Sequence, residues 1–337
     1  VLTTKDMAGN TATRTYTIKK RIIPKVGEIV NYTPDTPSTG YDLSTAKSGY
    51  SSAQTIDKTY DPTTWKIMEV DENGNITKLL GIGSQFVYFT GATGYNNGVY
   101  LLNDICKSRY GNASLGATAR SLNIEDIESK MNSKGIAARN ANKGSNNNSI
   151  QYGTTKTFKG WRAQYPAIYA QEKYSGINVS DVADGTQVIT GSVNATAQAK
   201  MNPNGKTQSE DVYTAATTDT SKTDATSLTC TQTYYYFSST PSSYFDDTNF
   251  HSMIFGTGAH YWLASRYVYC NLSNLTLDAV FGLRFVLDSN LQSRGLFSSR
   301  GYNYGGNGLL APVVSLGSGI QVKSGRGTER NPYAIGK

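Results

Sequence analysis

Two histidines, three cysteines and one acidic pair are the residues of this 337-residue chain best suited to chemistry. His251 and His260 lie in the aromatic-rich run before Trp262, and neither has a second ligand at metal-binding spacing. Cys106, Cys230 and Cys270 cannot all pair with one another, and no C-x-x-C occurs. Free buried thiols are the expectation, with a Cys106–Cys230 or Cys230–Cys270 bridge left open. Cys270 with His260 would supply a thiolate and its base, but a structural thiol beside a surface histidine is the stronger reading. Asp246 and Asp247 form an acidic pair on a loop; solvation is their expected role, and a weak cation site the minor one. GTGAH at 256–260 is a short Gly-rich turn without the context of a phosphate loop, and H-E-x-x-H, G-x-S-x-G and dinucleotide fingerprints are absent. The chain is therefore not expected to be an enzyme: no catalytic residue, no metal and no cofactor is assigned.

A different chemistry is suggested by residues 267–307, YVYCNLSNLTLDAVFGLRFVLDSNLQSRGLFSSRGYNYGGN. Tyr, Asn and Ser recur there, and from Tyr261 to Val322 there is neither Lys nor Glu. Tyr offers a large amphipathic contact at low entropic cost, while Asn, Ser and Gly offer adaptable hydrogen bonds. Lys is depleted at interfaces because it is strongly hydrated and flexible, whereas Tyr and Arg are enriched. This is the texture of a non-covalent recognition surface.

The elements that must carry it are short and β-rich. Residues 24–81 open on VGEIVNYTP and continue into WKIMEVDENGNITKLLGI, a hairpin whose Asn73-Gly74 pair suits a turn with positive φ. Two helices follow. In GVYLLNDICKSRYG, Leu101, Leu102, Ile105 and Cys106 share one helical face and Gly111 is placed to end it. In RSLNIEDIESKM, Asn123 is the expected N-cap, Glu125 and Asp126 suit the first turn, and Leu122 with Ile127 suits a hydrophobic staple. From about 140 to 227 the chain is rich in Asn, Ser, Thr, Gly and Ala, as expected of a long polar insertion on a compact scaffold. The final third returns to strands, among them LTCTQTYYYF, HYWLASR, VFGLRFVL and GLLAPVVSL; the run VVSL suits a strand covered on both faces.

The 38% hydrophobic content supports a real core, and no apolar stretch approaches a membrane span, so no direct membrane insertion is expected. The net charge of +7 is scattered, with Lys19, Lys20 and Arg21 as the only basic triplet, and no nucleic-acid partner is expected. Residues 1–23 carry a Gly9-Asn10 turn and then alternation, with Thr11, Thr13, Thr15 and Thr17 on one face and Ala12, Arg14, Tyr16 and Ile18 on the other. Their D-x-x-G-N-x-x-x-x-x-Y-T-I pattern resembles the closing strands of bacterial immunoglobulin-like domains. That resemblance implies the end of a β-sandwich at 1–23, with upstream immunoglobulin-like stalk domains in a longer parent chain.

The ordered motifs YWLASR, FGLR-x-V, GLLAPVVSL and G-x-G-T-x-x-N-P-Y, within residues 261–335, resemble a known group. They look like the C-terminal region of C-type-lectin-fold proteins related to the formylglycine-generating enzyme, specifically the variable proteins of diversity-generating retroelements. The resemblance implies an α+β, C-type-lectin-like ligand-binding domain over 24–337, with a variable binding region at about 261–310. In such systems adenines of AAC or AAT codons are randomised, which yields Asn, Tyr, Ser, Asp, Thr, Arg or Phe but never Lys or Glu. The implied exposed face comprises Tyr267, Tyr269, Asn271, Asn274, Thr276, Phe285, Asp288, Asn290, Arg300, Tyr302, Asn303, Tyr304 and Asn307. Trp262, Leu263, Phe281, Gly282, Leu283, Val313, Val314 and Leu316 would be unvaried scaffold. The implied function is recognition of a protein or glycan ligand on another cell or particle, displayed extracellularly on a bacterial cell surface or a phage particle. A fixed-specificity bacterial adhesin of the same fold is the alternative. Calcium-dependent sugar binding is not implied, because E-P-N and W-N-D type motifs are absent.

Overall fold

A computed structural model describes residues 2–15, 22–43, 50, 54–144, 150–160, 226–273, 276–298 and 304–337. It is a mixed α+β structure in which strand outweighs helix. The N-terminal segment forms a hairpin of β1 (Leu2–Lys5) and β2 (Thr11–Arg14). Its turn is held by the Asp6 carboxylate, which accepts from the backbone N–H groups of Ala8 and Asn10 at 3.0 and 2.8 Å and from the Asn10 amide at 2.9 Å. The bonds from Asn10 hold the Asp6 pKa below its ordinary value. Both faces of this hairpin are exposed, and the expected continuation through Tyr16 and Ile18 lies outside the described residues.

Two larger sheets build the body. The seven-stranded one uses β3 (Ile29–Asn31), β6 (Trp65–Val70), β7 (Ile76–Gly81), β9 (Thr118–Ser121), β16 (Pro312–Ser315), β17 (Gln321–Ser324) and β18 (Tyr333–Gly336). Its order is β17-β18-β3-β6-β7-β16-β9, so the last strand lies parallel to β3 and brings the two ends of the 24–337 region together. The five-stranded sheet uses β8 (Phe86–Thr90), β12 (His260–Ser273), β13 (Thr276–Leu287), β14 (Asn290–Ser298) and β15 (Gly305–Leu309) in the order β14-β13-β12-β15-β8. Two small hairpins complete the strands: β4 (Tyr41–Leu43) with β5 (Gln54–Ile56), and β10 (Thr155–Gly160) with β11 (Thr226–Thr231). The second pair is a stem from which the polar insertion departs; residues 161–225 lie outside the description.

Why these residues choose these elements is clear at several points. In the β6–β7 hairpin only Gly74 takes positive φ (+69°), while Asp71 closes the loop by accepting from the Asn75 N–H at 2.7 Å. Val313 and Val314 in β16 are fully buried on opposite faces, in two separate apolar clusters, as a continuous apolar run on a doubly covered strand requires. Helix α1 (Gly91–Arg109) buries Val99, Leu101, Leu102, Ile105 and Cys106 against the inner faces of both sheets. It begins several residues before the apolar pattern does, because tertiary burial of Tyr95 overrides the poor propensity of GATGYNN. Helix α2 (Ile124–Glu128) starts with the expected capping box: Asn123 accepts from the Asp126 N–H at 2.9 Å, and Asp126 accepts from the Asn123 N–H at 3.1 Å. Helix α3 (Ser133–Ala141) has little apolar period, whereas α4 (Thr248–Phe255) buries Phe250, Met253 and Ile254 at helical spacing, a signal present in its sequence. Asp247, read as a solvated loop acid, is the N-cap of α4, accepting from the N–H groups of Asn249 and Phe250 at 2.8 and 3.2 Å.

The five-stranded sheet curls on itself. Tyr261 of β12 pairs with Leu309 of β15, and the Tyr304 N–H donates to the Leu296 carbonyl of β14 at 2.8 Å, so β14 also meets the start of β15. Trp262 fills the hollow of this curl. Its ring lies edge-on to Phe89 and Phe285, at 5.7 and 5.2 Å, and its indole N–H donates to the Val87 carbonyl at 2.8 Å. Trp262 has no exposed surface. Trp262→Ala is therefore expected to cost about 3–5 kcal/mol of stability. Asn123→Ala should cost about 1 kcal/mol through loss of the cap. Urea melts of the two variants, read as midpoint shifts at constant slope, check both.

Candidate functional site

The outward face of β8 and β15 is the most aromatic exposed surface among the described residues. Strand alternation produces it. In FVYFT, Val87 and Phe89 point inward with no exposed surface, so Phe86 and Tyr88 must point out, at 39% and 37% exposure. Antiparallel register sets Asn307 of β15 directly opposite Tyr88 and on the same face. Tyr304, just before β15, is 43% exposed. Its backbone is held on both sides, since its carbonyl accepts from the Thr90 hydroxyl at 2.6 Å and from the Gly91 N–H at 3.0 Å. Tyr50 completes the patch: its ring meets Tyr88 edge-on at 5.3 Å and its hydroxyl donates to the Gly306 carbonyl at 3.0 Å. Burial raises the Tyr50 pKa, so the phenol keeps its proton and acts as a donor at neutral pH.

This face stands on a strand that would otherwise be a bare sheet edge. β8 is the terminal strand of its sheet, and Gln54 satisfies part of its outer side. The Gln54 amide donates to the Phe86 carbonyl and accepts from the Tyr88 N–H at 3.3 Å, imitating a neighbouring peptide unit. Gln85 reciprocates, donating to the Thr55 carbonyl at 2.8 Å and accepting from the Asp57 N–H at 2.8 Å. Nearby, Arg109 and the Tyr110 hydroxyl converge on Asp61, at 3.1 and 2.9 Å, anchoring the loop that leads into β6.

The thirteen residues expected on one binding face divide into separate places. Tyr304 and Asn307 lie together on the aromatic face. Asp288 and Asn290 flank the β13–β14 turn, where Asp288 adopts φ +53° and meets His260 at 3.3 Å. Asn271 and Thr276 belong to the far end of the β12–β13 hairpin, with side chains outside the description. Asn274, Arg300, Tyr302 and Asn303 lie outside the described residues altogether.

Two expected contact residues are corrected. Tyr267 is 3% exposed, and the Tyr234 ring lies over it on the odd-numbered face of β12. Thr233 and Tyr234 donate backbone N–H groups to the Val268 carbonyl at 3.0 Å, and the Gln232 side chain accepts from the Cys270 N–H at 2.7 Å. The Tyr234 ring then lies 5.4 Å from Tyr267 and 4.8 Å from Tyr269, which leaves Tyr269 only half-exposed. Phe285 is 1% exposed, because it shares strand parity with the buried Phe281 and Leu283 and packs on Trp262. The same parity was present in the sequence and would have identified it.

Phe86, Tyr88 and Tyr50 escaped the sequence reading. Alternation in FVYFT carried the signal for two of them, but all five positions except Thr90 are apolar or aromatic, so pattern alone does not say which side is wet. Trp262, Leu263, Phe281, Gly282, Leu283, Val313 and Val314 are buried as scaffold residues should be, and Leu316 is partly buried against the core.

Chemically, the face offers phenol edges, one amide and a flat apolar surface, with no nucleophile and base in reach of one another among its residues. That arrangement suits non-covalent contact. Tyr88→Ala and Tyr304→Ala should change stability by only about 0.5 kcal/mol. Gly308→Ala should cost about 1–3 kcal/mol, because its new Cβ would sit 2.6 Å from the Phe285 ring and 3.1 Å from Trp262. Thermal unfolding of the three variants distinguishes the presented side of β8 and β15 from the buried side. No family model, no curated protein and no solved structure matches this chain.

Proposed function

We propose that the chain is a displayed ligand-binding protein that recognises a protein or glycan surface through the aromatic face of β8 and β15. The observation that carries this reading is the set Tyr50, Phe86, Tyr88, Tyr304 and Asn307: Phe86, Tyr88 and Asn307 stand on paired strands, and Tyr304 and Tyr50 are tied to those strands by hydrogen bonds to Thr90, Gly91 and Gly306. Sites on strands hold their geometry better than sites on free loops, and rigid Tyr contacts lose little entropy on binding. The finer fold proposed is C-type-lectin-like. Support for it comes from the pairing of β18 with β3 across the chain ends, helices early in the region, and long hairpins late. Residues 1–23 would be the end of an immunoglobulin-like stalk domain, and display on a bacterial surface or phage particle would follow. No described helix is long and apolar enough to cross a membrane.

Diversification by a retroelement is proposed for a narrower set than the sequence suggested. Tyr304, Asn307 and Asn290 have side chains at or near the surface, and so does Asp288, whose φ of +53° narrows its replacements toward Asn and Gly. Tyr267 and Phe285 do not: a Cβ on Gly282 would lie 2.5 Å from the Tyr267 ring, so that ring fills a space cut to its shape. This burial is also the observation that favours the second reading, an adhesin of fixed specificity with the same fold. Sequencing the gene's 3′ end across one clonal population decides between them. Diversification is expected to appear as substitutions at the codons of Tyr304, Asn307, Asp288 and Asn290, each opposite an AAC or AAT codon of a near-copy template in flanking DNA, with Tyr267 and Phe285 constant. A segment invariant at all these codons, with no template nearby, would establish the fixed adhesin instead.

A further inference from the structure

The seven-stranded sheet is hollowed on a side that shares no lining residue with the aromatic face. Two adjoining concavities, of about 460 and about 240 Å3, meet at Lys66 and Met253 and form one trough between α4 and the β3–β6 ladder. Met253, 2% exposed, is its apolar floor. Lys25 and Lys66 stand on one bank, and among the described residues neither ammonium has a carboxylate partner. Glu28 lines the same end, but its carboxylate is engaged by the Lys25 backbone N–H at 2.7 Å and by the Tyr333 hydroxyl. Asn249 and Ser252 present an amide and a hydroxyl from the exposed side of α4, and Thr63, Thr64 and Thr257 line the far end.

We propose that this trough binds an acidic saccharide, with Lys25 and Lys66 holding its carboxylates and the Asn, Ser and Thr rim holding its hydroxyls. Charge favours an anion: two lysines without an ion-pair partner stand against one carboxylate, Glu28, whose oxygens are turned to the Lys25 N–H and the Tyr333 hydroxyl, on a chain of net charge +7. The choice of a saccharide over a peptide follows from what the trough lacks. A bound peptide draws on large buried anchors or on a free strand edge. Here no lining residue is aromatic, and β3 and β6 are both interior strands whose edges are already paired. Short neutral hydrogen-bonding side chains around a small apolar floor match a ring dense in hydroxyls.

The test is calorimetric titration of the full chain with an oligogalacturonate, beside a neutral galactose oligomer and an oligoglutamate of equal length. The acidic sugar should bind and the other two should bind at least roughly tenfold more weakly. The Lys25→Gln/Lys66→Gln pair should weaken it by roughly a hundredfold or more, the scale of two lost charge-assisted hydrogen bonds. Asn249→Ala with Ser252→Ala, both at exposed positions, gives a second disruption that does not depend on the lysine variant folding. Lys134→Gln, at an exposed position away from the trough, should leave binding unchanged. No binding, equal binding of the neutral sugar or the oligoglutamate, or an equal loss from Lys134→Gln would overturn the proposal.

Discussion

The indole of Trp262 is the constraint around which the rest of the structure is arranged. A ring of that size is dry only if strands wrap it, and its N–H must find an acceptor once buried. The Val87 carbonyl provides the acceptor, which commits β8 to lie beside β15. Gly306 and Gly308 let β15 run close over the ring, with Cβ positions 3.1 Å from it in both cases. Phe285 and Phe89 close the remaining sides. Strand alternation then makes the presented face a consequence of the buried one: with Val87 and Phe89 facing the indole, Phe86 and Tyr88 have only the outside left.

The same economy governs the polar groups. Where a strand ends its sheet, a side-chain amide stands in for the absent neighbour, as Gln54 does along β8, while Gln85 does the same for the backbone of Thr55 and Asp57. Where a cation is buried it is oriented rather than left loose. Arg109 bonds Asp61, and Arg266 donates to the Tyr95 carbonyl at 2.8 Å while its guanidinium lies 5.2 Å from the Tyr95 ring. Burial pushes the Arg266 pKa down to about 10, which still leaves it charged at neutral pH. Such groups contribute little net stability, since desolvation offsets much of the attraction, but they define how α1 sits on β12.

Local signals were legible where one element decides its own fate. The Asn123 capping box, the buried face of α1, the β6–β7 hairpin and the doubly covered Val313-Val314 pair all depend on neighbours within a few residues or on a single period. The parity that buries Phe285 with Phe281 and Leu283 was equally local. Asp247 shows the limit: the same acidic pair fits a solvated loop or an N-cap until the start of α4 is known, and Phe250, Met253 and Ile254 mark that helix over only two turns.

What the sequence determined by itself was the inventory: strands and their alternation, a β-rich α+β class, and a Tyr/Asn surface chemistry without Lys or Glu. Only the tertiary structure decided which of those tyrosines meet water. Tyr267 and Tyr304 look alike in sequence, yet Tyr267 lies beneath the Tyr234 ring and Tyr304 stands out on the face that carries Tyr88. The reason is physical. Periodicity divides a strand into two faces, but the chain segment that covers a face arrives from elsewhere, and no local pattern records its arrival.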